Sequence, residues 1–152
     1  MFGNEIAQPR LTGWYGDSGK SYTYSGLTVT PSPWTDELAY LRDKLIKFLD
    51  VDFNSVLVNY YRNGQDSIGA HSDSEGELGP TKNNKVIASL SFGEARNFCL
   101  RNKTTKEVTS LDLQFGSLIV MAGTTQRYYT HEIAKTKKQI KDRLNLTYRV
   151  IC

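Results

Sequence analysis

The run Arg143-Leu144-Asn145-Leu146-Thr147-Tyr148-Arg149 alternates polar and apolar residues without a break. Such alternation marks a β-strand, whose successive side chains point to opposite faces. Arg143, Asn145, Thr147 and Arg149 therefore share one face, and Leu144, Leu146 and Tyr148 share the other. A fold that accepts this strand must bury the apolar face and still provide water or an anion for the face with the arginines. A solvated face is one solution. An anion site accounts better for paired guanidiniums with Asn and Thr between them, because the planar guanidinium fork fits a carboxylate with parallel hydrogen bonds.

The chain has only two histidines. His71 stands in His71-Ser72-Asp73, and His131 precedes the alternating run. A strand that reaches His71 and ends at a turn sets His71 and Asp73 on the same side. Two imidazoles and one carboxylate on one face of a metal leave its other positions open, the ligand set of non-haem Fe(II) oxygenases. A His-x-Asp triplet is a weak motif alone, and the same donors suit other divalent metals. Its weight comes from the arginine strand that follows, which offers a clamp for a dicarboxylate.

The rest of the chain reads as many short strands and one main helix. Ser32-Pro33 predicts a helix cap and first-turn proline, with Leu38, Leu41, Leu45 and Phe48 at helical spacing before Asp50. Strands are expected over 54–62, 85–92, 95–101, 107–114, 117–121, 128–134 and 143–151, separated by turn signals such as Asn63-Gly64, Phe92-Gly93-Glu94 and Phe115-Gly116. Asn59 and Tyr61 share a face of their strand, with Val58 and Tyr60 opposite. Residues 1–30 are rich in Gly, Ser, Thr and Tyr and read as loops with short strands. The fold expected is mainly β (α+β), a double-sheet architecture with the helix packed outside it.

At 152 residues the chain suits one domain over 1–152, and folding buries roughly 68–70% of the unfolded surface of a chain this size. The net charge of +3 permits nucleic-acid binding without demanding it. Cys99 and Cys152 fit neither a disulfide framework nor a zinc spacing, which favours a reducing compartment. No apolar run reaches membrane-spanning length and no signal-peptide h-region opens the chain. These features predict a soluble, intracellular protein of cytoplasm or nucleus, with no membrane partner and a monomeric state.

Phe2-Gly3, Pro9-Arg10, Tyr15-Gly16-Asp17, Tyr22-Thr23-Tyr24-Ser25-Gly26, Phe53-Asn54, 59–64, 71–75, 87–93, Gly116-Ser117, His131 and 143–149 occur in an order that spans nearly the whole chain. In these runs the sequence resembles the AlkB family of Fe(II)- and 2-oxoglutarate-dependent dioxygenases, most closely the members that repair alkylated bases in duplex DNA. The resemblance implies a double-stranded β-helix (jelly roll), with Fe(II) as metal and 2-oxoglutarate and O2 as co-substrates. It implies that His71, Asp73 and His131 hold the metal and that Asn59, Tyr61, Arg143, Asn145, Thr147 and Arg149 line the 2-oxoglutarate site. Arg143 matches the partner of the distal carboxylate, and Arg149 lies nearer the keto-acid end.

By the same resemblance, 1–30 forms the nucleotide-recognition region, and Tyr22, Tyr24, Ser25 and Glu75 form the base pocket, with Tyr24 stacking on an extruded base. Relatives often carry a second acidic residue where this chain has Ser74, which leaves the base preference open. Phe2 and Gly3 match a finger that fills an opened stack. Arg10, Lys137 and Lys138 are the expected DNA contacts, the lysines lying in the basic run Lys135, Lys137, Lys138 and Lys141. No catalytic side chain is needed beyond the metal ligands.

The function implied is oxidative demethylation of N-alkylated bases such as 1-methyladenine and 3-methylcytosine in DNA, with release of succinate, CO2 and formaldehyde. RNA demethylation and hydroxylation of a protein or small molecule are alternatives on the same scaffold. A non-catalytic nucleic-acid-binding module is an alternative of another class, against which the intact His71, Asp73, His131, Arg143 and Arg149 argue.

Overall fold

The computed structural model describes residues 9–24, 26–74 and 85–152. The expectations for Phe2, Gly3, Ser25 and Glu75 lie outside the described residues, as does that for the side chain of Tyr24. One five-stranded sheet runs in the order β1 (Leu11–Gly16), β4 (Ser55–Tyr61), β11 (Arg143–Arg149), β6 (Ile87–Gly93) and β9 (Leu118–Met121). A four-stranded sheet runs β5 (Ile68–His71), β10 (Tyr129–Ile133), β7 (Arg96–Asn102) and β8 (Val108–Leu113). β2 (Tyr22–Tyr24) and β3 (Leu27–Val29) pair in a separate two-stranded sheet. The strands within each sheet pair antiparallel, and the two larger sheets face each other as the expected jelly roll.

The helix α1 (Asp36–Leu49) covers the outer face of the larger sheet. Leu38 and Leu45 from the helix meet Val56, Ala88, Leu146 and Tyr148 from β4, β6 and β11. Each buried Leu or Val here contributes about 1.5–3 kcal/mol relative to exposure. Tyr148 also donates from its hydroxyl to the Leu38 carbonyl at 2.9 Å. The inner layer between the sheets is built from Tyr61, Ile87, Phe98, Leu113, Met121 and Ile133.

The helix differs from the sequence reading at both ends. Its cap is Thr35, whose Oγ1 accepts from the Leu38 backbone N–H at 3.2 Å. Ser32 cannot serve, because its backbone is already paired with Trp14 and Gly16 on β1. Phe48 is 75% exposed. It sits on the flank of the apolar stripe, and Leu49, one turn after Leu45, completes the covered face. Among the described residues no helix is long and apolar enough to cross a membrane.

Candidate metal and co-substrate site

β11 positions the site because it is the middle strand of its sheet and is covered on both faces. Register aligns Asn145 with Asn59 on β4 and Ser91 on β6, and Thr147 with Leu57 and Ser89. The period of two then turns Arg143, Asn145, Thr147 and Arg149 inward, all buried, with Arg143 only 2% exposed. The solvated-face alternative is thereby excluded for this strand.

The polar residues in the middle of that face satisfy one another. Asn145 donates from Nδ2 to Ser89 Oγ at 2.6 Å and to the Leu90 carbonyl at 3.0 Å, and its Oδ1 accepts from Thr147 Oγ1 at 2.9 Å and from Asn59 Nδ2 at 3.4 Å. Arg143, at the start of the strand, does not close in this way. Arg143 donates from Nη2 to Ser91 Oγ at 2.9 Å and its guanidinium lies 5.2 Å from the Tyr61 ring centroid, while its Nε and Nη1 are buried with no hydrogen-bond partner among the described residues. Burial, partly offset by Tyr61, lowers the Arg143 pKa. A buried guanidinium with unused donors is costly unless an anion arrives to take them.

The candidate metal donors come from strands of the facing sheet and the residues just after β5. His71 ends β5 and is the cross-strand partner of His131 on β10. Asp73 follows on the same side, so His71 Nε2 stands 3.5 Å from Asp73 Oδ1 and His131 Nε2 stands 3.8 Å from Asp73 Oδ2. One ligand atom from each lies within 4.8 Å of the others. The His71 Nδ1 faces the Gly69 carbonyl at 2.7 Å. With the hydrogen on Nδ1 donated there, Nε2 presents its lone pair to the shared space, a backbone carbonyl setting the ring's tautomer and orientation.

Electrostatics prepares the same donors. Burial, with His71 and Arg149 nearby, pushes the His131 pKa down to about 4 despite Asp73, so the ring is neutral at ordinary pH. Burial opposes charge on His71 too, but the Asp73 carboxylate and the Gly69 carbonyl outweigh it and raise that pKa. Burial would raise the Asp73 pKa; Arg149, His71 and His131 overcome it and hold the carboxyl well below its usual range. Asp73 Oδ2 is buried without a hydrogen-bond partner among the described residues. An ionised orphan oxygen beside two imidazole nitrogens fits a divalent cation, and the partnerless donors of Arg143 in the same cavity fit a carboxylate.

Other expected site residues fall in different places. Asn59 and Tyr61 line the same cavity as His71, Asp73 and Arg143. Arg10 was expected on DNA, but it is 6% exposed and its Nε donates to Asn59 Oδ1 at 2.8 Å. The reason is register: Leu11 pairs with Tyr60, so one residue earlier the chain faces inward. Tyr22 is 2% exposed and its hydroxyl accepts from Arg149 Nη1 at 2.7 Å, inside the fold. Lys137 and Lys138 are exposed on the β10–β11 loop, which is braced by the Asn63-Gly64-Gln65 turn. Thr136 N–H donates to the Gly64 carbonyl at 2.8 Å, and a Cβ on Gly64 would stand 2.7 Å from the Thr136 oxygen, so only glycine allows that approach.

Sequence reasoning missed several supports. Ser89 and Ser91 alternate with Ala88, Leu90 and Phe92, so the rule applied to β11 would have found them on β6. Gln126, on the short helix α2 (Thr125–Tyr128), accepts at Oε1 from the Asp73 backbone N–H at 2.8 Å. Arg96, at the start of β7, donates to the carbonyls of Asn63, Asp66 and Ala134 and lies 5.5 Å from the Tyr61 ring centroid. Neither Gln126 nor Arg96 has a local signal.

Comparison with known proteins agrees with this geometry. The 2OG-Fe(II) oxygenase superfamily matches residues 3–149. The chain is 41% identical over 159 residues to DNA oxidative demethylase ALKBH2 of Mus musculus, covering 99% of this chain and 65% of that protein. It is 40% identical over 154 residues to alpha-ketoglutarate-dependent dioxygenase alkB homolog 3 of Homo sapiens, covering 95% of this chain and 52% of that one. The chain thus spans between about half and two thirds of the length of these relatives. The solved structure of OsALKBH1 matches with a TM-score of 0.65 at 17% identity, over 98% of this chain and 83% of that one, which supports the shared fold. The chain belongs to the 2OG-Fe(II) oxygenase superfamily and, within it, to the AlkB family.

Proposed function

We propose that this protein is an Fe(II)- and 2-oxoglutarate-dependent dioxygenase that removes N-methyl groups from bases in DNA, 1-methyladenine and 3-methylcytosine being the lesions expected. The observation that carries the reading is one cavity lined by both the His71, Asp73 and His131 donors and the partnerless face of Arg143. His71 Nε2, the Asp73 carboxylate and His131 Nε2 would hold Fe(II). Arg143 would take a carboxylate of 2-oxoglutarate, with Tyr61 and Asn59 beside it and Arg149 toward the metal. Bound iron supplies oxygen activation coupled to oxidative decarboxylation of 2-oxoglutarate to succinate and CO2, with the methyl group lost as formaldehyde. Neutral His131 and ionised Asp73 are already in the forms that bind a cation, and His71 would bind through Nε2 while its Nδ1 faces the Gly69 carbonyl. The apolar wall of Phe98, Leu113 and Met121 keeps water from the reacting groups.

The choice of a nucleic-acid base rests on residues 1–30 as recognition region. Tyr22, Tyr24, Ser25 and Glu75 are the expected base contacts, and Phe2 with Gly3 would supply the finger. The exposed Lys137 and Lys138 would meet the phosphate backbone, so replacing both by alanine should weaken DNA binding and flatten its salt dependence. DNA is preferred to RNA because ALKBH2 relatives carry the name DNA oxidative demethylase. The reading takes the enzyme to act as a monomer. The test loads Fe(II) and 2-oxoglutarate without oxygen, then admits oxygen with methylated single- and double-stranded DNA and RNA. Formaldehyde and restored base from DNA are expected. Turnover confined to RNA, or succinate formation that no nucleic acid stimulates, would overturn the assignment.

A further inference from the structure

We infer that Tyr22 is a positioning residue that fastens β2 to the metal carboxylate through Arg149, which makes the order of the metal site depend on the seat of the strand carrying Tyr24. The inference rests on the functional reading above and deepens it. β2 pairs only with β3 among the described residues, so no backbone ladder sets its place against the five-stranded sheet. Side chains do this instead. The Tyr22 ring stacks on Trp14 of β1 at 4.8 Å between centroids, and Trp14 is itself held by its Nε1 donating to the Lys20 carbonyl at 3.1 Å. Ile151, just beyond β11, closes the same small core.

From that seat the Tyr22 hydroxyl accepts from Arg149 Nη1 at 2.7 Å, and the guanidinium lies 5.2 Å from the ring centroid. The other terminal nitrogen of Arg149, Nη2, lies 3.4 Å from Asp73 Oδ1, the oxygen that also faces His71 Nε2. A guanidinium on a flexible stem has many orientations, and the planar group aims Nη2 at Asp73 only while its opposite end is fixed. Tyr22 supplies that fixed end. Groups one step removed from a metal ligand commonly change metal affinity about 10–100-fold when lost. Tyr22 acts one step further out, through Arg149, so the lower part of that range is expected.

The test titrates Mn(II) into the metal-free protein without oxygen, for wild type, Tyr22→Phe, Arg149→Lys and the double variant. Tyr22→Phe keeps the ring and its stack on Trp14 and removes only the hydroxyl. It should weaken Mn(II) binding about tenfold, while the metal-free protein still folds cooperatively. In the Arg149→Lys background the same substitution should change Mn(II) affinity less than about twofold, because the link is already broken. Unchanged Mn(II) affinity in Tyr22→Phe, or losses that multiply in the double variant, would overturn the inference. A rise in the Michaelis constant for methylated DNA with no change in Mn(II) affinity would do so too, by making Tyr22 a substrate contact alone. A wild type that binds no Mn(II) would instead overturn the functional reading, so the two failures are distinguishable.

Discussion

The two faces of β11 are buried to a similar degree and are held in place by opposite means. Outward, Leu146 and Tyr148 lie under α1, where burial itself is the stabilising force. Inward, Arg143, Asn145, Thr147 and Arg149 are buried at a cost that hydrogen bonds only partly offset. The cost is uneven along the strand: the central Asn and Thr are satisfied by neighbours, and among the described residues buried polar atoms without a hydrogen-bond partner include Arg143 Nε and Nη1 on this strand and Asp73 Oδ2 and His131 Nδ1 across the cavity. One face of a single strand therefore keeps the fold together, and the other stores unmet binding capacity for ligands. Substitutions on the two faces should separate stability from function.

The largest effect is expected at the metal donors. His71→Ala should abolish succinate formation and cut metal affinity by orders of magnitude. The metal-free fold should be nearly unaffected, since His71 lies at the end of β5 and its ring is only partly buried. Metal titration beside a thermal melt checks both halves. Substantial turnover in this variant would remove His71 from the site, and a collapsed melt would mean that the inner layer is also structural.

Leu146→Ala on the outer face should do the reverse. Deleting a buried leucine costs about 2–5 kcal/mol, measurable by denaturant unfolding, while metal and 2-oxoglutarate affinities of the folded fraction stay near wild type. A smaller change is expected from Arg143→Lys, one position round the pleat from the apolar set. Charge is kept but the fork is lost, so 2-oxoglutarate should bind about tenfold or more weakly, as when hydrogen bonds to a charged group are lost. Stability without ligand should hold or rise, because the partnerless Nε and Nη1 disappear. Unchanged 2-oxoglutarate affinity in anaerobic titrations would place the carboxylate elsewhere.

The comparison also explains what was legible in the sequence. β11 could be read with its faces assigned because period two is a local rule, and the same rule places Asn59 with Tyr61 on β4. His71 and Asp73 were readable as a pair for that reason, and His131 was found because the chain has no other histidine to choose. Arg10 was misplaced because its direction depends on the register of β1 against β4, which no residue near it specifies. Gln126 and Arg96 act on backbone groups distant in sequence, Asp73 N–H in one case and the Asn63, Asp66 and Ala134 carbonyls in the other, so only the folded chain reveals their targets. Helix periodicity found Leu38 and Leu45, but the exact edge of the stripe, Leu49 in place of Phe48, depends on what the sheet covers.

The smallest predicted effect tests a polar tie between the outer face and the helix. The Tyr148 hydroxyl donates to the Leu38 carbonyl at 2.9 Å, joining β11 to the first turn of α1. Tyr148→Phe keeps the ring and its packing, so at neutral pH it should cost only about 1 kcal/mol, the usual net worth of such a bond. Its pH dependence makes the test specific. Burial, opposed by the charge of Arg42, raises the Tyr148 pKa above the ordinary value of 10.0. The unfolded chain therefore releases this proton near pH 10 while the folded chain retains it, so the folded state binds more protons there and stability falls as pH rises. The contribution is fully present below about pH 10 and is lost through the alkaline range as pH approaches the folded value. Tyr148→Phe has no such proton, and the other tyrosines titrate alike in both proteins. The wild-type advantage seen at pH 7 should accordingly shrink above pH 10, and can reverse. Denaturant midpoints of the two proteins, measured side by side from neutral to alkaline pH, check this. A constant gap would mean that Tyr148 ionises equally readily in both states, and no gap at neutral pH would mean that the bond to Leu38 adds nothing to the packing.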